Sequence, residues 1–331
     1  MADTILAVLE QREGKLNRVS WETVTAAQAI SGQTGWPVEA VVMGSGANNV
    51  AREIAGKKLE KVYDLESPRL EPYTPDAFSF ALKRFIGERR PKLVVMSNTY
   101  QARDFAPKLA AQLGCGLVSD AVACRYQGGQ LVFVRKMFQG KFAADVTFTG
   151  EPPFLTTFQA GFFRGDQAQD AEAATAVETV NLDIPDAVVR TRPHEVFKEA
   201  KQAVDLTQAE FIVAVGRGIK EQKNIELAKQ LADALGAEIA ASRPVCDSGW
   251  LPLDRQVGSS GQTVAPKVYL ALGISGAIQH VVGMKGSKTI VAVNKDGDAP
   301  IFEVADIALV ANLFDVLPPL IEEVRKAKAV A

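Results

Sequence analysis

The sequence predicts an α/β protein built from two doubly wound, Rossmann-like domains, with mostly parallel sheets and some antiparallel strands in the first. Three observations carry this expectation. Strand-like and helix-like segments alternate from residue 4 to residue 114. Short alternating runs separated by glycines follow over 116–150, and a second alternation starts near residue 207. A chain of 331 residues is long enough for two domains, expected at 1–206 and 207–331.

In order, TILAVLE (4–10) reads as a buried strand, and SWETVTAAQAISGQ (20–33) as a helix with Ser20 as its N-cap. VEAVVMG (38–44) and KVYDLE (61–66) are strand-like, with NNVAREIAG (48–56) helical between them. TPDAFSFALKRFIGERR (74–90) is a helix with Asp76 early and basic residues late, as its dipole favours. KLVVMSN (92–98) is a strand. The helix from Arg103 closes on Gly114, a common C-terminal stop. The glycine-separated runs of 116–150 predict antiparallel strands added to a parallel sheet. Residues 164–182, rich in Ala, Asp and Gln, read as a surface loop or linker, and PDAVVRTRP (185–193) as a strand.

The second alternation gives strands at 211–216, 237–242, 267–273, 288–294 and 305–311. A helix ending on Gly236 covers 223–236, and a closing helix, with Pro318 and Pro319 near its start, covers 314–329. Five such strands suffice for a nucleotide-binding sheet. A linker around 195–210 is expected to let the second domain swivel.

Composition narrows the function. A formal charge of −2 and no polybasic stripe argue against nucleic acid, and no apolar run approaches the ~18 residues of a membrane span. The N-terminus MADTILAVLE shows no signal or transit presequence, so a cytoplasmic protein of bacterial style is expected, or a mitochondrial matrix one if the source is eukaryotic. Cys115, Cys124 and Cys246 form no C-x-x-C pair and are too few for a cluster or a four-cysteine zinc site. With two distant histidines, His194 and His280, no zinc motif or catalytic triad is visible.

The candidate sites are strand-end loops. GSGANN (44–49) follows a strand and precedes a helix, suiting either a phosphate or an ordinary βα turn. VGRGIKEQKN (215–224) opens like a dinucleotide fingerprint but has Glu221 where the third glycine belongs. Its Arg217 reads as reaching a phosphate or the other domain, or as a solvated loop residue. In ASRPVCDSGW (241–250), Ser242 offers a hydroxyl and Arg243 a planar guanidinium for a ring system or an anion. DRQVGSSGQTVAP (254–266) is irregular, polar and glycine-bearing; its backbone at Val257–Gly261 can cradle a pyrophosphate or a ring edge. GISGAIQH (273–280) begins a short helix, with Ser275 near its N-cap and Gln279 and His280 one turn in. Asn294 and Lys295 end the next strand. Four strand ends with polar, glycine-bearing loops in one domain point to an extended nucleotide cofactor.

Taken together, the motifs QVG-x-S-G, GISGAIQH, KTIVAVNKD and APIFEVAD, within 242–314, resemble the FAD domain of the electron-transfer flavoprotein alpha subunit. The likeness is dense over roughly 100 residues from VGRG onward. It implies one FAD in the second domain and a heterodimer with a beta subunit that holds AMP, or a second FAD. It also implies electrons taken from flavin dehydrogenases, typically the acyl-CoA dehydrogenases of fatty-acid β-oxidation, and passed to a quinone oxidoreductase or similar acceptor. Carried over by motif, Arg217, Ser242, Asn294 and the loop of Gln256, Val257, Gly258, Ser259 and Ser260 would contact the FAD, largely its phosphates and sugars. Arg243 would lie by the isoalloxazine, and Ser260 near flavin N5. Ser275, Gly276, Ala277, Ile278, Gln279 and His280 would line the cofactor, with His280 reaching flavin O2. A donor there would stabilise the negative charge that gathers at N1 and O2 when the flavin takes one electron without a proton. Two positions depart from the pattern: Ser260 stands where many relatives have Thr, and Asn312, beside Leu313, where Asp is usual.

The resemblance implies an electron carrier without substrate turnover of its own. Competing readings are a bifurcating flavoprotein that oxidises NADH, a pyridine-nucleotide dehydrogenase, and a non-redox nucleotide-binding module.

Overall fold

The computed structural model describes residues 3–44, 46–138, 140–193 and 205–330. His194 and most of the swivel expected over 195–210 lie outside them. The chain divides into two compact units, 1–197 and 198–331.

Unit 1 contains β1 (Ile5–Leu9), β2 (Gln11–Arg12), β3 (Lys15–Leu16), α1 (Arg18–Thr34), β4 (Val38–Met43), α2 (Ala47–Ile54), β5 (Lys61–Glu66), α3 (Pro75–Arg89), β6 (Leu93–Ser97), α4 (Tyr100–Leu113), β7 (Leu117–Gln127), β8 (Gln130–Met137), β9 (Phe142–Thr147), β10 (Phe154–Phe158) and β11 (Val177–Asn181). Nine strands form one sheet in the order β11-β5-β4-β1-β6-β10-β7-β8-β9. The first seven run parallel, and β8 and β9 add two antiparallel pairings. All five residues of β1 are buried because helices cover both faces. Ile5, Ala7 and Leu9 pack with α1 and α2, while Leu6 and Val8 pack with α3 and α4. The two-residue period of a strand sorts one apolar run between two cores.

The structure departs from several of the expected elements. α1 is capped by Asn17, whose side chain accepts the Val19 amide at 3.2 Å. Ser20 lies inside the helix; its Oγ accepts the Glu10 amide and donates to the Glu10 carbonyl, both at 2.9 Å. The linker read over 164–182 contains β11, paired in parallel with β5 at the sheet edge. The strand read over 185–193 is instead a 3₁₀ turn at Asp186–Val188. Beyond that turn the Arg190 and Thr191 amides donate to the buried Asp76 carboxylate at 2.8 and 3.1 Å, leaving them no part in a ladder. α4 begins at Tyr100, capped by Thr99, three residues earlier than expected, and tolerates Pro107 inside it.

Unit 2 contains β12 (Phe211–Val215), α5 (Ile225–Leu235), β13 (Glu238–Ala241), α6 (Arg243–Asp247), β14 (Val268–Leu272), α7 (Ile278–Met284), β15 (Thr289–Asn294), β16 (Ile307–Val310) and α8 (Leu313–Val330). Its five strands are all parallel, in the order β13-β12-β14-β15-β16. One face carries a core with α5, α6 and α8; the other carries Val257, Val264, Tyr269 and Met284. Within this unit the strands run 2-1-3-4-5. The chain leaves β12 toward one edge and returns at β14 toward the other; in such sheets this switch point is where the ligand crevice is expected, at the carboxyl ends of the two strands.

Candidate functional site

The carboxyl edge of the second sheet gathers nearly every residue singled out in the sequence. Arg217 follows β12, Ser242 and Arg243 follow β13, and Ser275–His280 follow β14. Asn294 ends β15, and Asn312 and Leu313 follow β16. Parallel pairing puts all five ends on one side.

At the crevice the loops after β12 and β14 meet backbone to backbone. The Gly216 amide donates to Leu272 O at 2.9 Å and the Gly218 amide to Gly273 O at 3.0 Å. A Cβ on Gly216 would lie 2.3 Å from Gly273 O and 2.7 Å from Ile274 Cα, a collision with backbone that cannot yield. The two glycines that resemble a dinucleotide fingerprint therefore seat one loop on the other. Arg217, between them, is left exposed.

The irregular 254–266 stretch is bound in from both sides. The Val257 amide donates to Ala241 O at 3.0 Å, and the Ser259 amide to Gln279 O at 2.8 Å. Gln256 is buried, and its Nε2 donates to Ser260 Oγ at 2.9 Å. The Val264 amide donates to Gly283 O at 2.8 Å. So 256–260 and 277–280 form one continuous wall, with Ser259 and Ser260 exposed along it.

The GISGAIQH segment differs in detail from expectation. α7 starts at Ile278 with Ala277 as its cap, so Ser275 lies ahead of the helix and Gln279 and His280 lie in its first turn. Ser275 O accepts the Ile301 amide at 3.1 Å, and Asn294 Nδ2 donates to Ile274 O at 2.9 Å, anchoring the loop to the following strand. Ser275, Ala277, Ile278 and Gln279 are exposed, while Gly276 is buried.

His280 turns inward. It is 6% exposed, and its Nε2 lies 2.9 Å from the hydroxyl of Tyr269, which is fully buried on β14. Burial lowers its pKa to about 4, opposed by the backbone of Val257, so the ring is neutral near pH 7. Nδ1 has no hydrogen-bond partner among the described residues. Sequence reading missed Tyr269: it looks like one more apolar strand residue.

Three residues stand apart from this wall. Arg243 is exposed and pairs with Asp247 at 3.3 Å. Asn312 Oδ1 accepts the Phe314 amide at 3.3 Å at the start of α8. Leu313 is buried in the core on the α5 and α8 face. Nearby Cys246 is buried, and desolvation pushes its thiol up to about 11, which keeps it protonated and inert. Among the described residues no group of His, Cys, Asp and Glu could hold a metal ion, and no helix is long and apolar enough to cross a membrane.

Comparison with known proteins shows the family. The electron transfer flavoprotein domain matches residues 5–185, and the electron transfer flavoprotein FAD-binding domain matches residues 205–285. The chain is 36% identical to the electron transfer flavoprotein subunit alpha of Bacillus subtilis, over 98% of both chains. It is 39% identical to that of Syntrophomonas wolfei, over 98% of this chain and 100% of the relative. It is also 32% identical to the lactate dehydrogenase (NAD(+),ferredoxin) subunit LctC of Acetobacterium woodii, over 96% of this chain and 76% of the relative. The chain thus belongs to the electron transfer flavoprotein alpha subunit family and carries that family's FAD-binding domain.

Proposed function

We propose that the carboxyl edge of the second sheet holds one FAD, and that the chain works as an electron carrier in a heterodimer with a beta subunit. The beta subunit would hold AMP or, in the alternative below, a second FAD. The supporting observation is the convergence of five parallel strand ends on a crevice whose rim offers exposed hydroxyls and guanidinium groups. That donor set suits a dinucleotide. Arg217, Ser242, Asn294 and the 256–260 loop would take the phosphates and sugars, and Asn312 the adenosine. Arg243 would place a permanent positive charge by the flavin ring, and Ser260 a hydroxyl near N5. The ring nitrogen His280 has left for the pyrimidine carbonyl is Nδ1, buried and without a hydrogen-bond partner among the described residues.

Bound FAD supplies the redox chemistry, accepting electrons from a flavin dehydrogenase and releasing them to a quinone oxidoreductase or similar acceptor. The chain's residues bind it, exclude water and set the charge around it. Co-purification with the beta subunit tests this: one flavin in this chain, reduced by a dehydrogenase and not by NADH, is expected. The likeness to the A. woodii subunit, whose name includes NAD(+) and ferredoxin, favours a second reading. There the assembly would bifurcate electrons from NADH, and a second flavin reduced directly by NADH would establish it.

A further inference from the structure

Tyr269 and His280 are 11 residues apart, on β14 and α7, and meet inside unit 2 on the sheet face that carries Val257 and Val264. Tyr269 is 0% exposed, and among the described residues its hydroxyl has one hydrogen-bonding neighbour, His280 Nε2 at 2.9 Å. Two arrangements are chemically possible. If Nε2–H donated to the phenol, the phenol hydrogen and the Nδ1 lone pair would both be buried without partners. If the phenol donates to Nε2, the proton sits on Nδ1 and a single group remains to be satisfied. Buried polar groups are rarely left unmatched, so the second arrangement is favoured. Burial raises the Tyr269 pKa well above its usual value, which keeps the phenol a donor. The Val257 backbone pulls the His280 pKa upward, as an acceptor facing a ring N–H does. With Nε2 engaged by Tyr269, that N–H is Nδ1–H. Nδ1 has no hydrogen-bond partner among the described residues, so its N–H remains to be taken by whatever faces it.

We propose that Tyr269 is a positioning residue: its phenol O–H donates to His280 Nε2 and fixes the ring as the neutral Nδ1–H tautomer. The donor nitrogen is thereby turned toward the 256–261 loop. The ring then offers one N–H of defined orientation to whatever the loop holds. The effect on a flavin rests on the proposed FAD site; the tautomer does not.

The chain has two histidines, so a ¹⁵N-histidine-labelled sample gives two ring systems. The wild-type spectrum is expected to show His280 protonated at Nδ1, with Nε2 unprotonated and hydrogen-bonded. Tyr269→Phe removes one oxygen and is expected to abolish the single tautomer, giving an Nε2–H form or a mixture. In the flavin-loaded heterodimer the same variant should retain its flavin and show a lowered reduction potential. A wild-type His280 protonated at Nε2 overturns the proposal, as does a Tyr269→Phe spectrum identical to the wild type. The wild-type spectrum decides the tautomer even if the variant does not fold. A changed tautomer with bound flavin at an unchanged potential overturns the effect on the cofactor. A wild-type complex without flavin would sink the FAD reading and leave the tautomer result standing.

Discussion

At the carboxyl ends of their strands the two units pack protein against the same kind of glycine-bearing turn but differ in the donors left uncovered beside it. In unit 1 the turn after β4 is covered by the protein itself. A Cβ on Gly46 would lie 3.0 Å from Gly14 Cα, and one on Gly44 would lie 2.7 Å from Gln11 Nε2. Gln11 in turn donates to Met43 O at 2.9 Å. The small β2–β3 hairpin thus sits where a phosphate would otherwise approach. In unit 2 the glycines after β12 and β14 seat two loops on each other and leave Arg217, Ser259, Ser260 and Ser275 exposed along the rim. A glycine at a strand end signals close backbone approach. In both units that approach is made by protein; what differs is the donors left uncovered beside it.

The largest effect that would break this comparison is expected at Gly216. Gly216→Ala puts a methyl against backbone, so it should cost about 3 kcal/mol by denaturant unfolding and release the flavin. Gly46→Ala in unit 1 meets a left-handed backbone, with φ of +73°, and a Cα at 3.0 Å. It should cost about 1–2 kcal/mol while leaving flavin content unchanged. Equal flavin loss in both would erase the distinction between the turns.

Acid sharpens the contrast, because the two units hold oppositely shifted groups. In unit 1, Glu22 is buried and accepts the Gly161 amide at 2.6 Å; desolvation raises its pKa from 4.5 to about 7. The folded state keeps that proton over pH 4.5–7 while the unfolded chain loses it, so this contribution falls as pH rises. In unit 2, the pKa of His280 falls from 6.5 to about 4, so between those values the unfolded chain binds the extra proton, and stability falls as pH falls. Each window is worth on the order of 3 kcal/mol. Hydrogen exchange followed separately in the two units, from pH 7 to pH 5, should show unit 2 loosening relative to unit 1. Glu22→Gln should flatten the response of unit 1 and raise its stability at pH 8.

Much of this was legible in the sequence, and the parts that were not share a cause. KVYDLE, 61–66, coincides with β5, and all five strands of unit 2 fall within a few residues of their expected spans; the interior ones are legible because buried parallel strands are apolar runs, and the exposed edge strand β16 because its sequence IALV is apolar as well. β11 was hidden because an edge strand with the sequence VETVN has a half-exposed pattern like that of a loop. The run at 185–193 looked like a strand because composition cannot show that two of its amides are taken by Asp76. In the site, each strand-end loop could be read locally. The Tyr269–His280 contact could not, because it joins a strand to a helix, and neither residue shows a pattern pointing to the other.

The smallest effect on stability is expected at the rim. Arg243 is exposed, and its ion pair with Asp247 is of the weak surface kind. Arg243→Ala should leave the unfolding midpoint within about 0.5 kcal/mol of wild type. It should nevertheless lower the flavin reduction potential, since it removes the positive charge proposed beside the ring. An unchanged potential would place Arg243 away from the flavin.

The central claim is that the crevice of unit 2 holds a single redox-active FAD. An absorbance-followed reductive titration of this chain, co-purified with its beta subunit, tests it most directly. The predicted result is one flavin in this chain that takes up its two electrons in separate steps, from a flavin dehydrogenase and not from NADH. A purified complex with no flavin would contradict it.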